Sequence, residues 1–262
     1  MTGRAAPPPP VDVVPGLGAA EVVTMSTRTR SPLTAVLALV LTVLVGSPAA
    51  GAAPPVLHAE PTRVMALGDS ITGSPGCWRA LLWRDLQESG HQDVDFVGTR
   101  APQGCGFPYD GEHEGHGGAL VTEVARQNAL PGWLAATGPD VVLMHFGTND
   151  VWSSRSTEEI LGAYDVLLGQ MRTANPEIRL VVAQILPMDA PNCPECAQRV
   201  VDLNASVPAW AADRSTADSP VLVADHWTGF DTDLHTYDGV HPNADGDRRM
   251  ADTWYAALTP LL

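Results

Sequence analysis

"RVMALGDSIT", residues 63–72, decides how the rest of the chain is read. Arg63–Leu67 is a short apolar run, continuous rather than alternating, which is the pattern of a strand covered on both faces. A Gly-Asp-Ser turn follows at once, so Ser70 stands where that strand ends. Runs of the same kind recur at Val94–Val97, Val141–Phe146, Leu180–Leu186 and Val221–Ala224. Amphipathic stretches lie between them. "CWRALLWRDLQESG" (77–90) spaces Trp78, Leu81, Leu82 and Leu86 at helical intervals and ends in a glycine suited to a C-cap. "STEEILGAYDVLLGQMRTANP" (156–176) opens with Ser156 or Thr157 as N-cap, carries acids in its first turn and stops before Pro176. Two further helices are expected at 196–213, with a break or kink at Pro208, and at 244–262. Alternating strands and helices predict one α/β domain: a five-stranded parallel sheet between two helical layers, an αβα sandwich. No internal repeat is visible.

Open sheets of this kind bind ligands beyond the carboxyl ends of their strands. Ser70 stands on that rim, and three more polar clusters are expected there. They are "EGHGGAL" (114–120), "HFGTND" (145–150) and "YDGVHPNADG" (237–246). Together they hold what acyl transfer needs. A serine hydroxyl is a weak nucleophile until a neighbouring base takes its proton. Histidine suits that task because its ordinary pKa lies near working pH, and a carboxylate on its other ring nitrogen fixes the tautomer. Ser70, His241 and Asp238 are the candidates. Donors for a developing oxyanion would be the Ser70 N–H, a loop glycine N–H and the Asn149 amide.

These blocks carry a resemblance. "GDSIT", a glycine after the second strand, "GTND" and "DGVHP" occur in the order of the SGNH/GDSL hydrolase superfamily. "GDSITGSPGCWRALLW", "VDFVGT", "EGHGG", "MHFGTNDVW" and "TYDGVHP" resemble more closely the secreted esterases of carbohydrate esterase family three. The resemblance spans Arg63 to Leu262. It implies a flavodoxin-like three-layer fold and ester hydrolysis without metal or cofactor, commonly deacetylation of xylan. It also implies Ser70 as nucleophile, Asp238 and His241 as its partners, and Asn149 as oxyanion donor. A Ser-Gly pair is usual in the glycine block; Gly117-Gly118 stands here, and Gly118 is taken as the donor, with Gly117 next. Trp152, just past Asn149, is a candidate sugar-facing wall.

The 262 residues are 45% hydrophobic and 17% charged, with a formal net charge of -15. All 15 basic residues are Arg. Such a chain lacks the basic cluster that phosphate-rich partners require, so nucleic acid and anionic membranes are not expected partners. A neutral acylated carbohydrate fits, met by a monomer. Residues 1–24 are low-complexity, a disordered or mis-assigned start. From Met25 a basic opening (Arg28, Arg30), an apolar stretch Ala35–Val45 and small residues at Ala50–Ala52 make a secretory signal peptide of residues 25–52. Its apolar run is shorter than the roughly 18 residues of a membrane span. The catalytic domain would then be 53–262, extracellular, with a charge of -16 once three Arg and two acids are removed.

Four cysteines in an exported chain suggest two disulfides. Sequence alone allows three pairings; Cys77–Cys105 with Cys193–Cys196, each clamping a loop, is the favoured one. The "CPEC" stretch suits neither a cytosolic redox motif nor a four-ligand zinc site. His113 and His116 with Glu112 and Glu114 are read as a solvated acidic loop, not a zinc or calcium site. His226 and His235 are expected on a surface loop, and Trp83 and Trp254 in the core. Asp69 is expected to hold its turn through backbone N–H groups, and Gly68 to permit a sharp turn. Arg79 receives no role.

Overall fold

The computed structural model describes residues 60–262. The expected leader at 1–52 lies outside the described residues. In chain order the elements are β1 (Thr62–Gly68), α1 (Trp78–Glu88), β2 (Val94–Phe96), β3 (Glu114–Gly115), α2 (Val121–Gln127) and α3 (Leu130–Thr137). Then follow β4 (Val141–His145), α4 (Thr148–Trp152), α5 (Thr157–Ala174), β5 (Arg179–Gln184), α6 (Cys196–Arg214), β6 (Val221–Asp225), α7 (Thr232–His235) and α8 (Ala244–Leu258).

All strand pairs are parallel, in the order β2-β1-β4-β5-β6. Counting only these five, that is the flavodoxin-like order 2-1-3-4-5. The expected strands are present, with ends shifted by a residue or two. β3 is an addition. Its two residues pair with Leu67 and Gly68, which brings the "EGHGG" segment alongside the end of β1.

The helices pack in two layers, α1 with α8 on one face and α2, α3, α5 and α6 on the other. Local chemistry explains the boundaries. α5 has a complete capping box between Ser156 and Glu159, and buries Ile160, Tyr164, Leu167 and Met171 at helical spacing. α6 runs through Pro208 without the expected break, because its buried stripe of Val200, Leu203, Val207 and Trp210 continues on both sides. α2 and α3 were not expected as separate helices. The second carries Pro131 and Gly132, which read as breakers but fall in its first turn, where proline is tolerated.

All five residues of β4 are buried, as a central strand between helical layers must be. Trp78 and Trp254 stack with ring centroids 5.7 Å apart, joining α1 to α8. Both expected disulfides are formed. Two expectations fail. His226 is only 3% exposed, packed against Trp254 at 4.4 Å and His145 at 5.8 Å between centroids, while His235 is half-buried. The reason is that β6, which ends at Asp225, packs against α8, and the next side chain lies against Trp254 of that helix. His113 and Glu114 are buried too, so that loop is not a solvated one. Glu114 accepts from the Thr99 N–H and hydroxyl and contacts His116, which stacks on Trp133. Trp254 is fully buried as expected and Trp83 only partly. Among the described residues no helix is long and apolar enough to cross a membrane.

Candidate active site

The strand order reverses at β1, whose neighbours are β2 on one side and β4 on the other. Loops leaving β1 and β4 therefore part company there, and the crevice between them is where a ligand fits. Ser70 leaves β1 at this point and Asn149 leaves β4.

Gly68 has a different reason from the one expected. It does not occupy the left-handed region; a side chain there would collide with the His145 carbonyl on β4 and the Thr72 hydroxyl. Close approach of two strands, not a sharp turn, requires the glycine. Asp69 does hold the turn. Its Oδ1 accepts the Ile71 N–H at 3.0 Å, and its carbonyl accepts the Gly73 N–H at 2.9 Å. Complete burial pushes its carboxyl up to about 7.

More bonds fix the following segment. The Trp78 indole donates to the Ile71 carbonyl at 2.9 Å, and Asp247 on α8 accepts the Cys77 N–H at 2.8 Å. Arg79 is buried and donates to the Thr72 and Gly73 carbonyls and, at 2.5 Å, to Gln103. It braces the loop that follows Ser70. No spacing signals that, because two of its three partners are backbone carbonyls, which carry no side-chain identity, and the third, Gln103, lies 24 residues away.

Asp238, Gly239, Val240 and His241 form one tight turn. Asp238 Oδ1 accepts the N–H groups of Val240 at 3.0 Å and His241 at 2.7 Å. Its Oδ2 lies 2.8 Å from His241 Nδ1, and His241 Nε2 lies 2.9 Å from Ser70 Oγ. An unbroken line of hydrogen bonds thus joins residues from the first and last loops of the rim. Partial burial pushes the Asp238 carboxyl up, but the bonds from His241 and Val240 outweigh it and hold the group below its ordinary value. A carboxylate so placed can stabilise a positive charge on the neighbouring imidazole. The ring of Tyr237, 57% exposed, lies within 12° of parallel to the His241 imidazole at 5.7 Å. Tyr237 was missed in the sequence, where nothing separates it from an ordinary loop residue.

The third wall comes from β3 and α4. The His116 N–H donates to the Gly68 carbonyl at 2.9 Å, and the Ala119 N–H to the His116 carbonyl at 3.0 Å. Between them Gly118 takes a left-handed φ of 77°. Asn149 Nδ2 donates one proton to the Ala119 carbonyl at 3.1 Å, which leaves the second for a ligand. Among the described residues, the N–H groups of Ser70 and Gly118 donate to no protein acceptor. Trp152 is 37% exposed at the far end of α4 and is not hydrogen-bonded to the other candidates. The structure therefore links Ser70, His241 and Asp238 directly, groups Gly118 with Asn149 through Ala119, and leaves Trp152 at the margin.

The site is open. A cavity of about 1000 Å³ lies between α3 and α5 and includes none of these residues. Such an arrangement can relay a proton from Ser70 through His241 and receive negative charge on a carbonyl oxygen.

The fold and the linked serine, histidine and aspartate define the class of molecule, a carboxylic ester hydrolase. Residues 66–249 match the GDSL-like lipase/acylhydrolase family, and the chain belongs to it. It is similar to a crystal structure of a mutant acetyl esterase with an acetate ion, and to a carbohydrate esterase family 3 structure from Talaromyces cellulolyticus. In each case identity is 36% and the TM-score 0.70, over 76% of this chain and 97% of the other. A multidomain esterase of Ruminococcus flavefaciens is 30% identical over 231 residues, 76% of this chain. This chain spans 29% of that relative's length.

Proposed function

We propose that this chain is a secreted serine esterase that removes acetyl and other short acyl groups from a plant polysaccharide such as xylan. The single observation that carries the reading is the unbroken Ser70–His241–Asp238 line of hydrogen bonds. In the first half-reaction Ser70 Oγ attacks the ester carbonyl while His241 Nε2 takes its proton. Asp238 stabilises the resulting imidazolium through Nδ1. The carbonyl oxygen becomes an oxyanion held by the N–H groups of Ser70 and Gly118 and by Asn149 Nδ2. When the intermediate collapses, the bond to the sugar oxygen breaks and His241 returns the proton to that oxygen. Water, deprotonated by His241, then attacks the acyl-serine, releasing the acid and restoring Ser70.

Acetyl ester as substrate is supported by the acetyl esterase and carbohydrate esterase relatives. Export is supported by the leader pattern and by two disulfides, which persist in oxidising compartments. Exposed Trp152 beside Asn149 suits a sugar face, and the acidic chain works as a monomer on a neutral partner. The test is release of acetate from acetylated xylan, with hydrolysis of p-nitrophenyl acetate alongside. Ser70→Ala is expected to lose both by at least roughly 10⁴-fold, as triad nucleophiles do; wild-type rates in that variant would end the proposal. A series of p-nitrophenyl esters should fall steeply beyond a few carbons. A preference for long chains would instead mark a lipase or thioesterase on the same residues.

A further inference from the structure

Asp150 follows the proposed oxyanion donor Asn149 in sequence and is fully buried, yet the reaction scheme leaves it unused. Its carboxyl accepts three hydrogen bonds: from the Val121 N–H at 2.8 Å, the Thr122 N–H at 3.1 Å and the Thr122 hydroxyl at 2.6 Å. All three donors lie at the start of α2, directly after the segment Gly118-Ala119-Leu120. That helix needs them taken up. Its own N-cap residue, Leu120, offers no side-chain acceptor, and a helix start leaves its first N–H groups without partners. Asn149 meanwhile donates to the Ala119 carbonyl. Two consecutive residues of α4 therefore grip residues 119, 121 and 122, the chain immediately beyond Gly118.

We infer that Asp150 is a positioning residue that sets the distance and angle between the two oxyanion donors carried on separate loops, the Gly118 N–H and the Asn149 amide. The inference rests on the proposed reaction. Gly118 lies on a loop that no strand extends: β3 ends at Gly115 and α2 begins only at Val121. Without the Asp150 bonds the loop keeps one tie to α4, the Asn149–Ala119 bond, and that tie is made by one proton of the donor group itself. Donors aimed at a developing charge act only when held in advance, since reorganising them during reaction would cost what they supply. A misplaced Gly118 N–H weakens binding of the transition state while the ground-state ester, whose carbonyl oxygen carries little charge, is bound as before.

The test compares p-nitrophenyl acetate with its thionoacetate counterpart, in which sulfur replaces the carbonyl oxygen. Sulfur accepts hydrogen bonds poorly, so an intact oxyanion hole favours the oxygen ester. Wild type is expected to prefer it strongly. Asp150→Asn should lower kcat on the oxygen ester roughly tenfold or more, short of the 10²- to 10³-fold cost of deleting a donor outright. KM should stay within about twofold, as for loss of an interaction made only in the transition state. The oxygen-to-sulfur preference should shrink by about the same factor as kcat. Thr122→Ala, which removes only the hydroxyl bond, should shift the preference in the same direction by less, and it carries the test if Asp150→Asn does not fold. A loss of folded enzyme scales both rates equally, so an unchanged preference in both variants overturns the role given to Asp150. A wild type without any preference, or an active Ser70→Ala, would instead overturn the reaction on which the role depends.

Discussion

At Asp238 a carboxyl group sorts its two oxygens between two tasks. Oδ1 takes backbone N–H groups and locks the turn, while Oδ2 faces the imidazole. Asp238→Asn keeps the first task and loses the second, since an amide favours the wrong histidine tautomer. Its kcat on p-nitrophenyl acetate should fall by about 10⁴-fold with the thermal midpoint little changed. A loss under tenfold would mean that His241 needs no anion. The two candidate glycines also separate at this scale. Gly118 sits at φ 77° with open space around its Cα, whereas Gly117 has the same space without the positive φ. Gly118→Ala should cost about 1 kcal/mol in backbone strain and lower kcat, while Gly117→Ala should do neither. The reverse result in steady-state kinetics would make Gly117 the donor. As candidates, Ser70, Asn149, Asp238 and His241 were legible because their blocks are short, ordered motifs. Gly68 was misread because a sequence shows a missing side chain but not the atom it would strike.

Among the elements, legibility followed length and burial. Strands β1, β4, β5 and β6 announced themselves as continuous apolar runs, and α5 by its cap. β3 has two residues, too few to show any period, and its existence depends wholly on β1 beside it. α2 was hidden because its cap, Asp150, lies 29 residues away from Val121 in sequence. The disulfides matter at this scale as well. The Cys77–Cys105 bridge closes a separation of 28 residues and the Cys193–Cys196 bridge one of 3. Chain entropy gives about 3.5 kcal/mol for the first and about 1.5 kcal/mol for the second. Replacing the first pair with serines should lower the thermal midpoint by about 10 °C, at a few degrees per kcal/mol for a domain of this size. The second pair should cost less than half of that in the same calorimetric scan. Equal shifts would show that loop length does not govern the difference.

For the molecule as a whole, acid is a stress that the core itself creates. Burial pulls the His145 imidazole down to about 4, and burial together with the neighbouring His145 holds His226 well below 6.5. Neither ring takes a proton in the folded state until pH falls well below the value at which the unfolded chain does. The unfolded chain therefore binds more protons in that window, and stability declines as pH drops from 6.5 toward 4. For His145 the full span corresponds to about 3 kcal/mol. Asp69 works in the opposite sense: raised to about 7, its contribution is complete at low pH and is lost as pH rises through 7. His226→Phe should thus gain on wild type in urea unfolding as pH falls from 7 to 4.5. A difference that stays constant over that range would remove His226 from the account. The sequence could not show this, since a histidine beside a strand end reads as a surface residue until the helix above it is known.

The bond from Ser70 to His241 spans 171 residues, and the Cys77 N–H to Asp247 contact 170. The proposed nucleophile and base thus come from opposite ends of the domain's synthesis. A growing chain that has already made Ser70, its loop and the whole sheet still lacks His241, and a product cut short before α8 holds His241 but not the Asp247 support under Cys77. On the proposed reaction no hydrolysis can precede His241, so the appearance of esterase activity marks a chain made past that residue and can serve as a clock for the late folding steps.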